Sequence, residues 1–315
     1  MGHSLKYQIF DSIGASFCPS QSKHMLKEQG TYDFGEKIFS YSSMNRLKDV
    51  GADFAKFVKQ NYPQIKMVKD INSMHCEAFL KSKLDGGCSA STIKSYAQSL
   101  QKLGKCCLYN FGEKTKIDWK SDKSIYDNSK LEGQSAKIRT LSMDKKDFEK
   151  IVDYGRDCQS KDALKICWAF GLRSEEVVSI RGIDIREKSL IVSNAKGWRI
   201  RELSADTLEK REALSRLKEL KSEHIKAFMS GSERVFTIKK NSVNDYLQTN
   251  LRRSGITKYN DSKTGIHSIR KAFASREYER FRSEGMNHRE AWGKVSNELG
   301  HGKDRMELFK VYVGK

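Results

Sequence analysis

The chain has 315 residues, with 59 Lys and Arg against 40 Asp and Glu, for a formal charge of +19 at neutral pH, and 37% of its residues are hydrophobic. This length accommodates one large domain or two of ordinary size. Aliphatic and aromatic residues recur at regular spacing throughout, which excludes a disordered polyelectrolyte. No apolar run approaches the roughly 20 residues of a bilayer span. The longest, Ile166 to Leu172, fits a buried helix.

The start, Met1-Gly2-His3-Ser4, lacks the apolar stretch of a secretory signal, and the seven cysteines are odd in number and scattered. Both features predict a cytoplasmic protein with reduced thiols. The adjacent Cys106 and Cys107 have no second pair and no clustered histidines, so no metal site is expected. A chain this basic points to nucleic acid as its partner, ahead of an anionic membrane surface.

Residues 1–41 read as a basic N-terminal extension. From 42 to 111 the apolar residues keep helical spacing, in three stripes. The first holds Leu47, Val50, Phe54, Phe57 and Val58, the second Phe79, Leu80 and Leu84, and the third runs from Ile93 through Leu100 to Phe111, with Ser91 or Thr92 placed to cap it. Periodicity fails over 112–137, where Gly, Ser, Asp and Lys dominate, and this stretch reads as a linker.

A second unit covers 138–315. It opens with a helix capped at Ser142, and helical spacing continues to Ile180. The period then changes to alternation in Gly182-Ile-Asp-Ile, Ser189-Leu-Ile-Val-Ser and Trp198-Arg-Ile-Arg-Glu-Leu, three short strands with a turn at Asn194-Ala-Lys-Gly. Helices return at 206–229, 242–253, 267–283, 287–299 and 304–313. The predicted fold is therefore mainly α, with a small antiparallel β-sheet in the second domain. Residues 1–136 carry 20 basic and 14 acidic residues, and 137–315 carry the remaining 39 and 26, so the second unit holds most of the excess charge.

Singly, the polar residues of the second unit have ordinary explanations. His267-Ser-Ile-Arg270 reads as the polar face of a helix start, Arg173 as a surface arginine paired to Glu176 at i+3, His301 as a helix-terminus histidine, and Lys196 as one lysine on a turn. Their order carries more. Gly171-Leu-Arg173-Ser-Glu-Glu176 precedes a short sheet with Lys196 on its turn. His267-Ser-Ile-Arg270, Leu299-Gly-His301 and then Tyr312 on a final helix follow. This set resembles the tyrosine recombinase (phage integrase) family over most of the chain. Residues 42–111 resemble its helical, SAM-like core-binding domain, and 138–315 its α+β catalytic domain.

The resemblance implies transesterification of DNA. A phenol, Tyr312, attacks phosphorus to form a covalent intermediate. Arg173 and Arg270 present planar forks to the nonbridging oxygens, where charge develops in the transition state. In the family's pattern His267 is the proton acceptor from the tyrosine, and His301 is a further donor to the phosphate. Lys196 is the general acid for the leaving 5′ oxygen. Glu176 matches the acidic residue that orients the arginine and histidine side chains. This scheme needs no metal, cofactor or ATP.

Outside that pocket, Lys239, Lys240, Asn241 and Asn244 open a helix whose family counterpart enters the major groove, with capping by Asn241 or Ser242 as the alternative. Arg199 and Arg201, alternating beside Lys196, are expected to meet backbone phosphates. Ser91, Thr92 and Lys94 open a helix resembling the family's DNA-facing one, or form a simple N-cap. Two domains and a linker suggest a clamp around the duplex.

The implied function is site-specific recombination through 3′-phosphotyrosine intermediates and a Holliday junction, serving integration and excision of a mobile element. The expected partners are double-stranded DNA with inverted repeats, three further copies in a synaptic homo-tetramer formed from monomers in free solution, and DNA-bending accessory proteins. The expected location is cytoplasmic and nucleoid-associated, with no membrane partner. Alternatives are resolution of chromosome or plasmid dimers, a type IB topoisomerase, and a catalytically silent DNA-binding protein on the same fold.

Overall fold

The computed structural model describes residues 3–21, 23–112, 116–125, 141–193, 200–224, 231–259, 265–303 and 305–313. The chain divides into two compact units, Met1–Lys137 and Ile138–Lys315. Helices dominate both, and the sheet among the described residues is one antiparallel pair of strands in the second unit, the expected fold class.

The first unit packs α1 (Leu5–Ala15), α3 (Tyr41–Asn61), α4 (Ser73–Asp85) and α5 (Ala90–Phe111) around one core, with a short α2 (Lys23–Glu28) between the first two. Leu5, Ile9 and Ile13 recur every fourth residue, so they share one face of α1, and that face is buried against α3 and α5. A Cβ on Gly51 would stand 2.7 Å from Ile9 Cγ2, so the glycine lets α1 lie close to α3. Residues 1–41 are thus not a separate basic extension, since their first helix forms part of the core.

The linker expected from residue 112 also begins too early. Ile117 and Trp119 are buried in the first unit, where the Trp119 indole donates to Ile71 O at 3.2 Å and meets the Phe54 ring edge-on at 5.3 Å. Residues 126–137 of the expected linker lie outside the described residues. Helix α5 is capped by Ser89, which accepts from the Thr92 amide at 3.4 Å, and not by Ser91 or Thr92.

In the second unit, α6 (Lys145–Tyr154) buries Phe148, Ile151 and Val152, and it starts after Asp144, two residues later than the cap expected at Ser142. Helix α7 (Gln159–Phe170) runs through the middle, packed by α9 (Leu208–His224), α10 (Lys240–Arg253) and α11 (Gly265–Ser283). It ends at Gly171 in the left-handed conformation, φ +63°, and α8 (Ser174–Val178) follows at once. The strand expected at Gly182-Ile-Asp-Ile is instead a 3₁₀ turn, Gly182–Asp184. The Asp184 carboxylate accepts from the Arg181 amide at 2.9 Å, and Ile183 N donates to Gly231 O, which diverts the backbone from a ladder.

Strands β1 (Ser189–Val192) and β2 (Arg201–Ser204) pair antiparallel with Val192 opposite Arg201. Along β2 the residues alternate buried and exposed, so Arg201 shares the inward face with Leu203. The turn expected at 194–197 lies outside the described residues. Helix α12 (His288–Glu298), a 3₁₀ turn Met306–Leu308 and α13 (Phe309–Tyr312) complete the unit, where a continuous helix was expected over 304–313. No helix among the described residues is long and apolar enough to cross a membrane.

Candidate active site

The site is built around the end of α7. An ideal Cβ on Gly171 would lie 2.3 Å from Phe273 Cδ1, so glycine alone fits there, and the turn places Arg173 at the N-cap of α8. From α11, Arg270 reaches the same point. It is 1% exposed, and its guanidinium donates to two backbone carbonyls, Gly171 O and Leu299 O. Burial first, then the charge of Arg173, pulls its pKa down to about 10, with Tyr312 and Glu176 opposing, so it remains a cation at neutral pH. Its Nε is buried and has no hydrogen-bond partner among the described residues.

Glu176 sits beneath the arginines, 3% exposed. Its carboxylate accepts four bonds: Arg173 Nη1 at 2.7 Å, the Arg173 amide at 3.0 Å, and Arg201 Nη1 and Nη2 at 3.2 and 2.9 Å. Arg270 Nη1 stands 3.8 Å away. Burial alone would raise its pKa, but the Arg201 hydrogen bonds and the charges of Arg201 and Arg270 outweigh burial and hold the carboxyl down at about 2.

Across the pocket, α12 ends in a tight reversal, with Gly300 at φ +74° and the His301 amide donating to Ser296 O. His301 Nε2 lies 3.0 Å from the Tyr312 hydroxyl and 3.5 Å from Arg270 Nη2. An arginine can only donate, so Nε2 is the acceptor and the phenol O–H donates to it. Burial, then the charges of Arg270 and Arg173, lowers the His301 pKa to about 4, which keeps the ring neutral and able to take a proton. Tyr312 is buried, its ring 5.4 Å edge-on from the His267 ring, 6.3 Å from Trp292 and 6.0 Å from the Arg270 cation.

Arg173, Glu176, His267, Arg270, His301 and Tyr312 therefore lie together within one unit. Of the two histidines, His301 Nε2 is the one 3.0 Å from the phenol oxygen, and the His267 ring flanks the tyrosine edge-on. Lys196 and Arg199 lie outside the described residues.

Arg201 is a correction. It was expected to meet DNA phosphates, but its side chain is 6% exposed and its guanidinium is spent on Glu176, because it is in phase with the inward Leu203. Asn244 is a second correction: its Oδ1 accepts from the Ile266 amide at 3.2 Å, so the oxygen is turned toward α11 and not toward a base edge. Lys239, Lys240 and Asn241 are exposed at the start of α10, with Lys240 3.6 Å from Glu175, and neither Asn241 nor Ser242 caps that helix, whose N-cap is Lys239. Ser91, Thr92 and Lys94 are exposed on the first turn of α5 in the first unit.

Sequence reasoning missed the carbonyls of Gly171 and Leu299 and the packing of Trp292, for which the sequence carries no signal. For Arg201 a signal existed, its two-residue spacing from Leu203. Among the described residues no group of His, Cys, Asp and Glu could hold a metal ion. A groove of about 980 Å³ lies elsewhere, between α6, α7 and α9.

A mainly helical unit thus gathers two arginines, two histidines and a buried tyrosine around one point. Residues 142–303 match the phage integrase family, and the chain belongs to that family, the tyrosine recombinases. No curated protein sequence matches it. Among solved structures, it is similar to a lambda integrase dimer bound to a COC′ core site, with TM-score 0.61 and 16% identity over 93% of this chain and 78% of that one. It is also similar to the Tn1549 transposon integrase in complex with circular intermediate DNA, with TM-score 0.58 and 14% identity over 99% of this chain and 96% of that one. The XerH site-specific recombinase bound to a difH substrate gives TM-score 0.58 and 17% identity over 99% and 96%. At these identities the likeness is one of fold.

Proposed function

We propose that the chain is a site-specific DNA recombinase that cuts and rejoins duplexes through Tyr312. The observation that carries this reading is the Tyr312 hydroxyl donating to a neutral His301 at 3.0 Å, beside the Arg173 and Arg270 cations. The Tyr312 oxygen attacks phosphorus while its proton passes to His301. The bond from phosphorus to the 5′ oxygen breaks, and that oxygen leaves as a hydroxyl with a proton from Lys196. Arg173 and Arg270 neutralise charge on the nonbridging oxygens. His267 flanks the tyrosine and donates to the phosphate. The 3′-phosphotyrosyl bond keeps the energy of the cut, and attack by a 5′ hydroxyl of a second duplex reverses the step with exchanged strands.

Two such exchanges pass through a Holliday junction, which calls for four copies on paired inverted repeats. The lambda integrase structures of a dimer on a core site and a tetramer on a Holliday junction support this assembly by analogy of fold. In this reading the first unit, Met1–Lys137, forms the core-binding domain, the exposed Lys239, Lys240 and Asn241 face the DNA, and the reaction integrates and excises a mobile element. The test is covalent capture. The chain is incubated with a pool of randomised nicked duplexes, and complexes resistant to SDS are recovered and sequenced. The wild type should enrich an inverted-repeat sequence, and Tyr312→Phe should recover none. An adduct formed by the Phe variant would remove Tyr312 as nucleophile, and no adduct from either would remove the catalytic reading.

A further inference from the structure

We infer that Arg201 is a positioning residue for the cleavage reaction, a buried tie that holds Glu176 and the end of α12 together so that Arg173, Arg270 and His301 face one phosphate. The inference rests on the recombinase reading and adds to it a residue that touches no substrate.

The geometry is that of a three-way tie. Arg201 enters from β2 with its side chain 6% exposed. Nη1 and Nη2 donate to the two oxygens of Glu176 at 3.2 and 2.9 Å, and Nε donates to Glu298 O at 2.7 Å. One planar fork therefore spans the start of α8, where Arg173 sits, and the last turn of α12, which leads through Leu299 and Gly300 to His301. A Cβ on Gly300 would lie 2.9 Å from Arg201 Nη1, so the backbone reversal before His301 is shaped around this guanidinium.

Glu176 shows what the tie accomplishes. Two of its four accepted bonds come from Arg201 and two from Arg173. Without Arg201, a buried carboxylate loses half its donors and must either take up a proton or draw Arg173 and Arg270 onto itself. Either response turns the catalytic forks away from the phosphate. The charged and titratable groups facing Glu176 are Arg173 on its own turn, Arg201 from β2, Arg270 from α11 and the Cys167 thiol from α7. Arg201 is the first of these in lowering the Glu176 pKa, so its removal lets burial push the carboxyl upward.

The experiment uses the full chain and the duplex recovered by covalent capture, with DNA affinity measured apart from the saturating single-turnover rate, across pH 5 to 9. Arg201→Met should bind this duplex within about twofold of wild type with an unchanged salt slope, since the residue meets no phosphate. Its saturating cleavage should be about 10- to 100-fold slower and should fall further toward acid as Glu176 protonates. Arg201→Lys keeps one charge but not the fork. It should restore the wild-type acid limb and still cleave several-fold more slowly than wild type.

Weaker binding with a salt slope reduced by about one and a normal saturating rate would make Arg201 a phosphate contact and overturn the inference. Wild-type rate and pH profile in Arg201→Met would overturn it too. If Arg201→Met does not give the wild-type circular dichroism spectrum, Arg201→Lys carries the test, and a wild-type rate in that variant refutes the tie. These outcomes are separate from failure of the recombinase reading, which shows as no Tyr312 adduct in the wild type.

Discussion

The Tyr312 hydroxyl donates to His301 Nε2 at 3.0 Å although eleven residues separate the two along the chain. The intervening backbone turns at Gly302, at positive φ, and Phe309 packs against Trp292. In the proposed reaction that hydrogen bond is the route by which the phenol loses its proton.

His301 is held neutral by burial and four arginines, with its pKa near 4. Cleavage should therefore fail on acidification, once the ring is protonated and can no longer take the phenol proton. A bound phosphodiester opposes the arginine charges, so the acid limb of single-turnover cleavage should lie above the His301 pKa that NMR titration finds in the free protein. Coincidence of the two values, or activity that persists to pH 4, would contradict this account. The same shift bears on stability. A histidine whose folded pKa is depressed supports the fold fully above its unfolded value of about 6.5 and loses that support as pH falls toward 4. Thermal unfolding should show that window, and His301→Gln should narrow it.

Removal of the Lys196 amine should slow cleavage by about 10²- to 10⁴-fold, the usual range for a general acid. A substrate with a 5′-bridging sulfur leaves without protonation, so it should restore the rate of Lys196→Ala. Equal slowing of the oxygen and sulfur substrates would show that Lys196 has another role.

Gly171→Ala should damage stability and chemistry together. The position needs φ +63°, and the added methyl would meet the Phe273 ring. Strain and overpacking together should cost about 2–4 kcal/mol in denaturant unfolding. Cleavage should fall further than folding accounts for, since the Gly171 carbonyl holds Arg270 and the next turn carries Arg173.

Ile9→Ala tests whether the first helix belongs to the core. Ile9 is fully buried against α3 and α5, so the truncation should cost about 2–5 kcal/mol. A surface tail would tolerate it with no change in unfolding, and that result would detach α1 from the unit.

Much of this protein is legible in its sequence because the periods of helix and strand are local. The apolar stripes of α3 and α5, the helices around Arg173 and Arg270, and the alternation in β1 and β2 follow from spacing alone. The ordered set from Arg173 to Tyr312 also identifies the family, since each residue type is what phosphoryl transfer requires. The direction a side chain takes once several elements meet is not local. Arg201 looked like a phosphate contact until the inward face of β2 placed it on Glu176. Likewise no spacing along the chain places His301 Nε2 3.0 Å from the Tyr312 hydroxyl, where the packing of the last elements brings it. Spacing determines which residues share a face of one element. Packing among elements decides which donors and acceptors are left to serve a substrate, because a buried charge must first satisfy its neighbours.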